Sequence, residues 1–120
     1  MNRLVNASTG DILVKKLLVR GTFGGRLRGL LFHRELEAGS AMLLVAVKRV
    51  HTYGMLFPLD LYFFNSSMCL IGSQHHVMPW MLPRSPEGTQ HILEIHHRTV
   101  TEPLRLDIGE QVSILWKIRS

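Results

Sequence analysis

The chemistry in this chain is concentrated in RVHTYGMLFPLDLYFF, Arg49 to Phe64, and above all in Asp60. Alternation along an extended strand puts Phe57, Leu59, Leu61 and Phe63 on one face and Pro58, Asp60, Tyr62 and Phe64 on the other. An ionised carboxylate among such neighbours is costly unless it is paired or hydrogen-bonded. Arg28, Arg34 and His51 are the partners that residue type offers. Asp60 then either forms a structural pair, caps backbone amides, or binds a ligand from the wall of a small pocket. Glu94 with Asp60 and His51 would give a hydrolytic or metal-assisted acid and base set, provided the three converge.

Seven histidines are present, and His75-His76 and His96-His97 are adjacent pairs. Neighbours on a strand point to opposite faces, so neither pair chelates as a unit, and no His-Glu-x-x-His places two imidazoles on one helix face. A site could still assemble from different strands, His51 with His75 or His96, and would suit zinc, copper, iron or nickel. The expectation is no metal site and no cofactor. GTFGGRLRG lacks the spacing and lysine of a phosphate loop, and no Gly-x-Ser-x-Gly elbow occurs. The single cysteine, Cys69, sits in apolar SMCLIG and reads as a small hydrophobe.

These residues need a scaffold, and the composition provides for one. In 120 residues, 46% are hydrophobic and 19% charged, enough apolar material for one core and too little charge for disorder. The expectation is a single domain over residues 1–120. The longest apolar run, Ala41 to Val47, is strand length and too short for a membrane span. MNRLVNASTGDILVKK has no leader pattern, so the expected location is cytoplasmic, with an exported form left open. A net charge of +5 raises nucleic-acid binding through arginines. The cations never run longer than two, which favours an ordinary basic surface.

Strands are expected over Ile12 to Val19, Ala41 to Val47, Phe57 to Phe64, Gln90 to His97 and from Val112 onward. Asn65-Ser66-Ser67 reads as a turn into a partner strand for the central one. GGRLRGLLFHREL, at three-and-four spacing, and a segment around Pro103 read as short helical turns. Residues 79–89, with three prolines and a glycine, form the one long loop, with Trp80 expected to pin it down. Short strands punctuated by glycine and proline point to a mainly β chain, a compact antiparallel sandwich or barrel of jelly-roll type with one or two helical turns.

Taken together, GRLRGLLFHREL, AMLLVAV, RVHTYGMLFPLDLYFF, HILEI and LDIGEQVSI resemble the Domain of Unknown Function family number 192. The likeness covers about Gly25 to Ile114. It is closest to the branch reading His-Thr-Phe-Gly-Met-x-Phe-Pro, matched by His51, Thr52, Tyr53, Gly54, Met55, Phe57 and Pro58, with Leu59 and Asp60 completing it. Two elements depart from the pattern. Gly-Met-Leu-Phe is reduced to Ser40-Ala41-Met42-Leu43-Leu44, and the Asp-x-x-Gly hairpin turn is replaced by Asn65-Ser66-Ser67-Met68. The resemblance implies a compact β fold, no established enzymatic activity and no known cofactor. It also implies that relatives are exported in many cases and stand near pilus-assembly and secretion genes.

The functional expectation is a non-enzymatic small-ligand-binding or accessory module, for which the resemblance implies a link to an envelope or pilus-type system. Arg28, His51, Thr52, Asp60 and Glu94 are its candidate site residues, and its partner is an unidentified small ligand or protein. Acid and base catalysis by Asp60, His51 and Glu94 is the alternative, and nucleic-acid binding the second.

Overall fold

The structure, a computed structural model, describes residues 2–21, 40–96 and 104–117. They contain seven strands: β1 (Asn2–Asn6), β2 (Ile12–Arg20), β3 (Ser40–Val45), β4 (Leu59–Phe64), β5 (Leu70–Val77), β6 (His91–His96) and β7 (Val112–Leu115). All belong to one sheet in the order β5-β4-β6-β3-β2-β1-β7.

The mainly β expectation holds, with one difference in strand direction. β2 and β3 run parallel, from Lys16 opposite Ser40 to Arg20 opposite Leu44, while the other strand pairs are antiparallel. Parallel neighbours need a long crossover instead of a hairpin, and residues 21–39 supply the length. The sheet is therefore mixed. Both expected helical turns, over 24–36 and around Pro103, lie outside the described residues.

The sheet curls until its two edges touch without closing into a regular barrel. Cys69 and Gln111 form an isolated bridge between the edges. Around it Leu70 N–H donates to the Glu110 carbonyl, Gly109 N–H to the Leu70 carbonyl and Val112 N–H to the Met68 carbonyl. The hairpin from β4 into β5 turns without the glycine of the pattern the sequence resembles. Asn65 Oδ1 accepts the Ser67 and Cys69 N–H groups at 2.9 and 3.0 Å, and Met68 takes the positive φ of 61° that a glycine would take at less cost.

Both faces of β4 are covered, and all six of its residues are buried. Inside the curl, Tyr62 and Phe64 pack with Leu93, Ile95, Leu43 and Leu4. On the outer face, Leu59, Leu61 and Phe63 pack with Met42, Leu44 and Ile92, and the β3–β4 connection lays Val47, Val50 and Met55 over them. Each fully buried Phe or Leu contributes roughly 1.5–3 kcal/mol by leaving water, so these two layers are the main hold on the fold. β1, which the residue pattern did not mark as a strand, contributes Leu4 with no exposed surface. Among the described residues no helix is long and apolar enough to cross a membrane.

Candidate functional site

Asp60 stands opposite a bulge. Leu59 pairs with Val77 and Leu61 with Gln74, so both His75 and His76 face the single residue Asp60. A bulge residue leaves a ladder N–H in need of another acceptor, and the Asp60 carboxylate takes the His76 N–H at 2.8 Å. His76 has a φ of 54°, a left-handed conformation held at this bend. The His75 Nδ1 lies 3.8 Å from the same carboxylate oxygen. Its ring meets Tyr62 edge-on, with centroids 5.5 Å apart. The Tyr62 hydroxyl accepts the Leu104 N–H at 3.1 Å. Burial raises the Tyr62 pKa above 10; the Leu104 bond works against that rise and the Asp60 charge adds to it. Of the readings open to Asp60, the cap on a backbone amide is directly visible, and among the described histidines the one beside it is His75, not His51.

Thr52 does equivalent work one loop away. Its N–H donates to the Met81 carbonyl and its carbonyl accepts from Trp80 N–H, each at 2.9 Å. Its hydroxyl donates to the Met78 carbonyl at 2.7 Å and accepts the Met81 N–H at 2.8 Å. With 1% of its surface exposed, Thr52 is a knot joining the β3–β4 connection to the chain that follows β5. Asp60 and Thr52 thus shape the same bend, from His76 to Met81.

His51 is exposed and turned toward the outside of this knot. Its Nδ1 accepts the Tyr53 N–H at 3.3 Å. Its ring stacks on Tyr53 at 4.8 Å, and Tyr53 in turn lies 6.1 Å from Trp80 at an interplanar angle of 26°. Trp80 does not pin the loop: it is 69% exposed and has a φ of 66°. Thr52 and the seat of Pro86 against Gly72 hold the loop instead.

Glu94 is buried, but the register puts it on the other side of the sheet from Asp60. Leu61 and Met42 are its cross-strand neighbours, both in the outer layer, whereas Asp60 is opposite Ile95, in the inner one. Arg28 lies outside the described residues. His96 stacks on Phe57 at 3.7 Å, and His91 Nδ1 accepts the Ala46 N–H at 2.9 Å. Burial lowers the His91 pKa, which keeps that acceptor unprotonated. Among the described residues, no three His, Cys, Asp or Glu side chains come together as a metal site.

The residue pattern did not bring out an exposed apolar surface. Ten large hydrophobic side chains are exposed among the described residues, and six of them, Tyr53, Leu56, Met78, Trp80, Met81 and Leu82, belong to the two segments that Thr52 joins. Pro79-Trp80-Met81-Leu82-Pro83 was the available signal, since prolines at both ends of an apolar tripeptide keep it out of any strand. Such a concentration marks an interaction surface more often than chance exposure does.

The curled sheet has counterparts among solved structures. A protein of unknown function from Novosphingobium aromaticivorans superposes with a TM-score of 0.66 at 18% identity, covering 93% of this chain and 82% of that one. A proposed transcription regulator from Sinorhizobium meliloti superposes with a TM-score of 0.64 at 20% identity, covering 93% and 90%. At these identities the likeness is one of fold. No curated protein matches the chain. The model of the family DUF192, described as Uncharacterized ACR, matches residues 5–114, extending beyond the stretch that carries the motifs to take in the end of β1 and all of β2. With nearly its whole length matched, and with the His51 to Asp60 block shaping the bend at the end of β5, the chain belongs to the DUF192 family.

Proposed function

We propose that this protein is a non-enzymatic binding module whose working surface is the loop pair 46–58 and 78–90, joined at Thr52. The observation that carries this reading is the knot itself: four backbone and hydroxyl hydrogen bonds on one buried threonine hold in place a stack of exposed rings. Fixing a surface before its partner arrives lowers the ordering cost of binding. Tyrosine, tryptophan, methionine and arginine are also the side chains that interfaces favour. His51 and Thr52 belong to this surface as rim and fastener, and Asp60 supports it from beneath; Glu94, on the other face of the sheet, is not part of it. A cytoplasmic location goes with the proposal and is checked by cell fractionation.

Acid and base catalysis by Asp60, His51 and Glu94 is the weaker reading, because two of its three groups stand on opposite faces of the sheet. Nucleic-acid binding through arginines draws only on the general positive charge.

The test uses Trp80 as a reporter in a chain carrying Trp116→Phe. Acidic peptides, single-stranded oligonucleotides, anionic vesicles and small anions are titrated against it while Trp80 emission is followed. One class should shift the emission saturably, and Leu56→Ala should weaken the response. An unchanged emission across all classes, from a chain that is folded by circular dichroism, would overturn the reading.

A further inference from the structure

We propose that the loop pair docks on an anionic lipid surface, with Leu56 and Trp80 entering the interfacial layer and Lys48, Arg49 and Arg84 meeting the headgroups. This rests on the binding-module reading and names its partner.

Leu56 and Trp80 are 74% and 69% exposed. Side chains this bare project from the surface. A protein partner would have to bring a pocket shaped for each of them, whereas a bilayer interface accepts any projecting apolar side chain to a depth of about 5–10 Å. The residue types fit as well. Indole and phenol rings settle at the level of the headgroups, and Trp80 and Tyr53 are in contact here, with methionine and leucine beside them in the chain.

Charge selects the kind of surface. From Ser40 to Pro86 the chain carries a single carboxylate, Asp60, and it is buried. The exposed Lys, Arg, Asp and Glu side chains of the loop pair itself, 46–58 and 78–90, are Lys48, Arg49, Arg84 and Glu87, three positive and one negative. Such a face is on balance attracted to an anionic membrane, by about fivefold in affinity per cation near the surface. An acidic protein could satisfy the charge, but it does not explain the projection.

The experiment measures co-flotation of the Trp116→Phe chain with vesicles of phosphatidylcholine containing one-third phosphatidylglycerol, against phosphatidylcholine alone, with Trp80 emission read on the same samples. The chain should float with the anionic vesicles only, with a blue-shifted Trp80 emission. Partition should fall about fivefold for Lys48→Ala and again for Arg49→Ala, and by more than tenfold for Leu56→Ala with Trp80→Ala. All four side chains are exposed, so these variants should melt with the parent chain. No flotation, equal flotation with neutral vesicles, or full flotation of the Leu56/Trp80 variant would each overturn the proposal. An acidic peptide that shifts Trp80 emission while vesicles do not would overturn the lipid surface and leave the binding module standing. Silence toward every class would overturn both.

Discussion

Asp60 and Glu94 sit on adjacent hydrogen-bonded strands one step out of register: Asp60 is opposite Ile95, and Leu61 is opposite Glu94. Because side chains alternate along a strand, the two carboxylates leave opposite faces and the backbone of the sheet lies between them. One is committed to the inner layer and the bend at the end of β5, the other to the outer layer. The same alternation makes the consequences of changing each residue separable.

Removing the Thr52 hydroxyl should loosen the loop pair. Thr52→Val keeps the shape and leaves the Met78 carbonyl and the Met81 N–H without their buried partner, a loss of about 1–3 kcal/mol. Thr52→Ser, which retains the hydroxyl, should keep most of that stability. Urea titration should show a lower midpoint for the valine variant at an unchanged slope.

The cap on His76 should survive replacement of Asp60 by asparagine but not by alanine. Asp60→Asn still offers an oxygen to the His76 N–H, whereas Asp60→Ala removes the oxygen to which the amide of this left-handed residue donates. The alanine variant should lose about 1–3 kcal/mol. Its His76 amide should exchange with solvent faster in a hydrogen-exchange measurement, and equal exchange in both variants would contradict the capping role.

Gly72 is required by close approach, not by its backbone angle. A Cβ there would come within 2.9 Å of the Pro86 ring, and a pyrrolidine cannot swing aside as a long side chain can. Gly72→Ala should lift the 78–90 loop from β5 and lower the melting temperature by the equivalent of about 1–3 kcal/mol, the usual range for overpacking. The second change Pro86→Ala should recover part of that loss in the double variant.

His91 should make stability depend on pH on the acid side. Its folded pKa lies below the ordinary 6.5 because of burial, so the unfolded chain takes up its proton first as pH falls. Stability is therefore full above about 6.5 and declines as pH drops through the lowered folded value. Protonated His91 can no longer accept the Ala46 N–H. His91→Asn keeps an acceptor near the same place without titrating, and its melting temperature should be flatter than the parent's between pH 7 and 5.

Strand existence was legible where local pattern was strong. Ile12–Arg20, Ser40–Val45, Leu59–Phe64 and His91–His96 are runs of aliphatic and aromatic residues bounded by turn formers, and each formed a strand. Asn2–Asn6 was not legible: its Leu4-Val5 pair is too short a signal, and it is a strand because β2 and β7 flank it. The parallel step from β2 to β3 was equally hidden, since hydrophobic alternation is the same in either direction.

The candidate site divides along similar lines. By itself the sequence identified Asp60 as a carboxylate in need of a partner and His51 to Asp60 as the block that carries the family pattern, because burial cost and motif spacing are local properties of the chain. Only the tertiary structure decided that the His76 amide is a partner of Asp60, that Thr52 fastens residues 78–81 from more than twenty positions away, and that Glu94 faces the other layer. Hydrogen bonds across such distances and the face a strand turns to its neighbour depend on register, which the alternation of one strand leaves open.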